Sequence, residues 1–336
     1  MSADPSRGRF EQVRFESEAL RGNALGDPPE RPLWVYLPPG YDEEPERRYP
    51  AVYVIQGMTG MVGAWFNVAP FQQNYPALIE QLAPACLVVL VDAFTSVGGS
   101  QFVDSPAVGR YHTYLCDEIV PWVDRHYRTL AAREHRGIQG KSSGGYGAMI
   151  SPVLRPDLFG GLATHAGDAL FECCYALEFP QCVRALRDRY DGSWERFWED
   201  FRSGRPVLSN RVDPVLLNTY AMAACYSSNE DGSIEFPFDL ETGELVPDVW
   251  ERWLRWDPVR RVADAAESLR TMRAIWVDAG TSDEYFLDLG ATAYRRALAA
   301  AGVPDEVVHF ELFDGKHGGI TWRYPLSLRF LAERLA

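Results

Sequence analysis

At 336 residues, 46% of them apolar and 24% charged, the chain is long enough to bury a large core arranged as one or two domains. A net charge of −14 argues against nucleic-acid or anionic-membrane partners, because a phosphate backbone is neutralised by Lys and Arg. No apolar run reaches the roughly 18 residues of a membrane span, and the first ten residues, ending at Phe10, have no apolar leader core. A cytoplasmic protein is therefore expected.

The chain begins with two runs that read as antiparallel strands. Gln12–Glu16 alternates apolar and polar residues, and Leu33–Leu37 stops at Pro38-Pro39-Gly40, a turn signal. Tyr49–Gln56 is a short apolar run of the kind buried on both faces, followed by a Gly-rich loop with Gly57, Gly60 and Gly63. Leu87–Asp92 is a second such run. Tyr111–Tyr127 has helical periodicity, with Pro121 expected to kink or break it. Arg136–Gly140 reads as a strand, Gly144–Leu154 as a helix of small residues and Gly161–Ala166 as another strand. Strands Ala274–Asp278 and Val307–Phe313 and helices Leu287–Ala301 and Tyr324–Leu335 complete the alternation. Repeated strand–helix alternation predicts an α/β fold with a mostly parallel sheet covered on both faces.

Residues 170–268 interrupt that rhythm with no clear buried strand. They hold 19 acidic and 11 basic residues and five of the ten Trp: Trp194, Trp198, Trp250, Trp253 and Trp256. The Trp spacing is helical, which predicts an inserted, mainly helical cap (170–268) over a core made of 1–169 and 269–336. The cap tryptophans suggest an apolar or aromatic substrate group. The six cysteines, Cys86, Cys116, Cys173, Cys174, Cys182 and Cys225, include no C-x-x-C pair, so no metal, cofactor or disulfide is expected.

The chemistry centres on Gly140-Lys141-Ser142-Ser143-Gly144, a G-x-S-x-G pentapeptide between a strand and a helix of small residues. That context makes Ser142 a candidate nucleophile at a strand-to-helix elbow. A serine needs a base, and the base needs an orienting acid. His317, in the glycine-flanked loop Asp314–Gly319 after the last strand, is the expected base. His165 comes too early in the chain, and His309 lies inside a strand. The acid belongs just past the preceding strand, where Asp278 stands too early to reach. Asp283 is preferred, with Glu284 as the fallback. The oxyanion donors are expected to be the N–H of Ser143 and that of Met58, with Gly57 as the alternative to Met58. The only two lysines flank this chemistry. Lys141, beside Ser142, is expected to point away from substrate and pair with a carboxylate. Lys316, beside His317, is a candidate for the mouth of the site.

Gln56-Gly57, Ser100–Asp104, Asp117–Asp124 and Gly140–Gly147, with Asp278–Asp283 and Gly315–His317, resemble the esterase D-like putative esterase family. This group of α/β-hydrolases includes S-formylglutathione hydrolases, feruloyl esterases, enterobactin-type esterases and mycolyltransferases. The resemblance covers residues 30–168 and 270–336. It implies an α/β-hydrolase fold, a serine carboxylesterase activity on a small-molecule ester and a Ser142, Asp283, His317 triad. Gln56 stands where many members carry His, and Ser143 where many carry Met. Acyl transfer with the same triad and a non-catalytic binding role are the alternatives. A phosphate-binding loop ending in Gly140-Lys141-Ser142 is disfavoured, because His135 occupies the position of its first glycine.

Overall fold

Ala51–Ile55 and Leu87–Val91 are aliphatic or aromatic throughout, and in the computed structural model both are buried along their whole length. Residues 8–71, 73–82, 84–203 and 213–336 are described. Residues 1–7, from the stretch without a leader core, and 204–212 of the expected cap lie outside the described residues.

Among the described residues, eight strands form one sheet. They are β1 Arg9–Glu16, β2 Glu30–Leu37, β3 Ala51–Ile55, β4 Leu87–Val91, β5 Arg136–Lys141, β6 Gly161–His165, β7 Ala274–Gly280 and β8 Val308–Phe313. Their order is β1-β2-β4-β3-β5-β6-β7-β8. β1 pairs antiparallel with β2, and β2 with β4. Every other neighbour is parallel. The first two strands begin earlier than their alternating runs, Gln12–Glu16 and Leu33–Leu37, suggest.

Period-two alternation divides the core between the two faces of the sheet. Tyr53 and Ile55 enter one apolar cluster, and Val52 and Val54 enter the other. Helix α1 (Ser143–Leu154), which follows Ser142, packs on β5 and β6. Between β6 and β7 the described residues include helices α2 Phe179–Tyr190, α3 Trp194–Arg202, α4 Asp213–Tyr226 and α5 Pro247–Leu254. The buried Asp257 carboxylate accepts N–H bonds from Leu170 and Phe171, at 3.2 and 2.9 Å, and from Val259. It thus ties the start of this segment to its end. Helix α6 (Leu287–Ala300) follows β7, and α7 (Arg323–Leu335) closes the chain against β5, β6 and β7.

The expected helix over Tyr111–Tyr127 forms in three pieces, Tyr111–Thr113, Tyr114–Ile119 and Val120–His126, and the middle one is π-helical. Pro121 has no N–H to return to the preceding turn, and the wider turn absorbs the missing bond without ending the helix.

Register brings the carboxyl ends of the central strands level. Ile55 lies opposite Gly140, Lys141 opposite His165 and His165 opposite Asp278. Loops leaving β3, β5, β6, β7 and β8 therefore meet at one edge, where parallel sheets place their ligands.

Beneath that edge is a buried polar cluster. Asp278 Oδ1 lies 2.7 Å from His165 Nδ1, and its Oδ2 accepts from Trp276 Nε1 at 2.6 Å and Arg323 Nε at 2.8 Å. Burial alone would raise the Asp278 carboxyl, but His165, Trp276 and Arg323 together hold it below its ordinary value. A carboxylate depressed in the fold adds stability above its unfolded pKa, near 4, and loses it as pH falls further. Asp278→Asn should cost about 3–5 kcal/mol at neutral pH, because it removes the buried carboxylate that Arg323 Nε, His165 and Trp276 share. The gap between wild type and variant, followed by urea unfolding, should shrink once the pH drops below about 4.

Candidate active site

β5 ends in a backbone conformation that L-residues rarely adopt. Ser142 has φ 57° and ψ −128°. Its N–H is shared between the carbonyls of His165 and Ala166, at 3.0 and 3.1 Å. Glycine is required on both sides. A Cβ at Gly140 would lie 2.4 Å from the Gly144 carbonyl, and one at Gly144 would lie 2.5 Å from the Ile55 oxygen. The turn pushes the Ser142 side chain out of the sheet and starts α1 at Ser143.

The loops after β7 and β8 are stitched together. Thr281 N–H donates to Phe313 O and Ser282 N–H to Gly315 O, both at 2.9 Å. This brings Asp283 Oδ2 to 2.9 Å from His317 Nδ1, and His317 Nε2 to 3.1 Å from Ser142 Oγ. The other Asp283 oxygen accepts the Tyr285 N–H at 2.9 Å, and the Tyr285 ring stands edge-on to His317. Asp283 is buried and His317 half-buried. Glu284 does not reach the imidazole. Its carboxylate accepts the backbone N–H of His317 at 3.0 Å and lies 3.6 Å from Lys316 Nζ. Asp278 is committed to the cluster under the sheet edge.

The loop after β3 lies directly against the elbow. A Cβ at Gly57 would come within 2.8 Å of Lys141 O and 3.2 Å of Ser142 Cβ. Thr59 N–H donates to Gly98 O and Gly60 N–H to Gly57 O. The N–H groups of Met58 and Ser143 make no backbone hydrogen bond among the described residues. Ser143 is the first residue of its helix, where no intrahelical acceptor exists. Its hydroxyl donates to Asp168 at 3.2 Å.

Ser142, Ser143, Met58 and His317 open into a cavity of about 960 Å³. Trp65, Tyr75, Trp322 and Tyr324 line it from the core, and Tyr175, Glu178, Leu217 and Asn218 from the segment between β6 and β7. Two readings of the lysines need correction. Lys141 lines this cavity and forms no ion pair among the described residues. Strand alternation stops applying where the chain turns at Ser142. Burial lowers the Lys141 ammonium pKa, against the fields of Asp283, Asp168 and Glu284. Lys316 is exposed and turns to Glu284, away from the lining. The expected aromatic contribution is also redistributed. None of the five tryptophans of 170–268 lines the cavity. Trp253, for example, packs among Tyr175, Phe179 and Tyr226.

Sequence reasoning missed Asp168. It follows β6 at the same sheet edge and accepts from Tyr175, Gln101 and Ser143. Burial raises its carboxyl pKa against those bonds. Its place just past the strand next to the one that ends at Ser142 was the available signal. The described residues include no group of three or more His, Cys, Asp or Glu placed to hold a metal, and no helix long and apolar enough to cross a membrane.

A family model described as putative esterase matches residues 27–330. An endo-1,4-beta-xylanase/feruloyl esterase of Xylanibacter ruminicola is 25% identical over 165 residues, which are 47% of this chain and 21% of that protein. The alignments span between 21% and 58% of the curated relatives' own lengths. Among solved structures, a ferulic acid esterase superposes with a TM-score of 0.60 at 19% identity, covering 97% of this chain and 99% of that one. An S-formylglutathione hydrolase from Agrobacterium tumefaciens gives a TM-score of 0.61 at 16% identity, with 98% and 96% covered. These likenesses establish the α/β-hydrolase fold.

The strain at Ser142 has a measurable sign. Ser142→Gly should be more stable than Ser142→Ala by about 1–2 kcal/mol, since glycine tolerates positive φ. At an unstrained position the order is reversed. Chemical denaturation of the two variants checks it.

Proposed function

The chain belongs to the putative esterase family of α/β-hydrolases, and from that premise we propose that it is a serine carboxylesterase acting on a small-molecule ester through an acyl-enzyme on Ser142. The observation that carries this reading is the hydrogen-bonded series Asp283–His317–Ser142, with spacings of 2.9 and 3.1 Å, at the wall of a large cavity.

A carboxylate only accepts hydrogen bonds, so the proton between Asp283 and His317 belongs to Nδ1. Nε2 is then free to accept the Ser142 proton. Ser142 Oγ attacks the acyl carbon as His317 takes that proton, and Asp283 steadies the imidazolium that results. The N–H groups of Met58 and Ser143 are the proposed donors to the oxyanion. The free N–H groups at the start of α1 and the helix dipole favour negative charge there. The tetrahedral intermediate collapses, and His317 returns the proton to the departing alcohol. Water, deprotonated by His317, then attacks the acyl-enzyme, and its collapse releases the acid and restores Ser142. The helical segment 170–268 serves as a cap in this reading. Its support is that Tyr175, Glu178, Leu217 and Asn218 reach the same cavity as Ser142.

The test is hydrolysis of short-acyl p-nitrophenyl esters. Ser142→Ala should abolish turnover, and more than a tenth of the wild-type rate remaining would refute the nucleophile. Asp283→Asn should lower kcat about 10⁴-fold, because it disturbs the imidazole tautomer. Glu284→Gln should cost far less, and the opposite order would remove Asp283 from the role of orienting acid.

A further inference from the structure

Among the described residues, Lys141, Asp168 and Glu178 line the cavity together with His317. Lys141 forms no ion pair among the described residues, and burial lowers its ammonium pKa against the fields of Asp283, Asp168 and Glu284. Asp168 is fully buried, and one of its oxygens accepts from Tyr175 at 2.8 Å, Gln101 at 3.1 Å and Ser143 at 3.2 Å.

Glu178 is different. It ends the turn Ala176–Glu178 in the segment between β6 and β7, and it is only partly buried against the cavity. One oxygen accepts from Asn218 Nδ2 at 3.2 Å. Among the described residues it has no Lys, Arg or His partner. Burial pushes its carboxyl up to about 7, with the Asn218 amide opposing the shift and Asp168 reinforcing it. This describes a carboxylate held out of water without a counter-charge, poised to gain one from a ligand.

Tyr175, which is buried, and Tyr285, which is 39% exposed, line the same cavity. A carboxylate beside aromatic faces suits an organic cation, which gains ion pairing and cation–π attraction together. An anionic group would face both carboxylates, Glu178 and Asp168, in the same cavity. The net charge of −14 also raises the local concentration of cations and repels anions.

We propose that Glu178 is a specificity-determining residue that selects esters carrying an ammonium group, held between its carboxylate and the Tyr175 and Tyr285 rings while Ser142 attacks the ester. The proposal rests on the cavity of the serine-esterase reading and adds the class of substrate.

Binding to the Ser142→Ala protein, measured by calorimetry, tests it without turnover. Charge selection can then fail while Ser142 still carries hydrolysis, and hydrolysis can fail while charge selection holds. The probes are choline and its uncharged isostere 3,3-dimethylbutan-1-ol. Choline should bind about tenfold tighter, the size of a partly desolvated cation contact. Adding Glu178→Gln should bring the two affinities to within about twofold, and Glu178→Asp should keep part of the preference. A purely structural role for Glu178 would weaken both probes together and leave their ratio unchanged, which overturns the proposal. Equal affinity for the two probes in the Ser142→Ala protein overturns it as well. So does tighter binding of a neutral methyl glycoside than of choline.

Discussion

The backbone of Ser142 is the constraint on which the carboxyl edge of the sheet depends. A residue at φ 57° and ψ −128° carries about 1–3 kcal/mol of strain that its surroundings must hold in place. Here the surroundings are two carbonyls sharing one N–H, from His165 and Ala166, and two glycines that let Ile55 and α1 close in. A side chain at either glycine would move the elbow. The same turn leaves the first N–H of α1 without an intrahelical acceptor and lifts the Ser142 hydroxyl toward His317. One local distortion thus exposes the Ser142 hydroxyl and leaves an anion-favouring helix end beside it.

Around that elbow, loops are positioned by backbone hydrogen bonds more than by apolar packing. The loops after β7 and β8 bond to each other through Thr281 and Ser282, which fixes the distance between Asp283 and His317. The Glu284 carboxylate adds a further tie by accepting the His317 backbone N–H. Asp257 ties the beginning of the helical segment to its end in the same manner. An acidic chain thus uses several carboxylates as acceptors for loop N–H groups. Glu178 stands apart because the hydrogen-bond partner of its carboxylate among the described residues is a side-chain amide, that of Asn218.

Much of this was legible in the sequence for identifiable reasons. Val52–Ile55 and Leu87–Val91 are apolar on both faces, which only a covered parallel strand tolerates. Gly140, Ser142 and Gly144 bear the geometry of the turn in their residue types, and His317 and Asp283 follow in an order the sheet edge can reconcile. Other features were not legible. Strand alternation gives side-chain direction inside β5 but not at its end, so Lys141 was placed on the wrong side. Helical spacing of the tryptophans in 170–268 identifies helices, yet spacing cannot say which face meets the cavity, and those rings pack mostly against Tyr and Phe side chains of the same segment. Asp168 and Glu178 were obscured because each depends on elements far apart in the chain, Gln101 for one and Asn218 for the other.

The fold contains a second set of the same three residue types. Ser327 Oγ lies 2.8 Å from His165 Nε2, and His165 Nδ1 lies 2.7 Å from Asp278 Oδ1. Its spacings are as short as those of Ser142, His317 and Asp283, yet all three side chains are buried. Its serine sits inside α7, where the hydroxyl also bonds the Tyr324 carbonyl at 3.1 Å, and its aspartate also holds Arg323. Fully buried, that serine is out of reach of any substrate carbonyl. Hydrogen-bond geometry among serine, histidine and aspartate is therefore insufficient to define a reactive centre. What separates the two sets is the strained turn that exposes Ser142, the cavity in front of it and the free N–H groups beside it. The buried set serves the exposed one, because His165 also lends its carbonyl to the Ser142 N–H, so the inert cluster anchors the strand from which the elbow takes its strain.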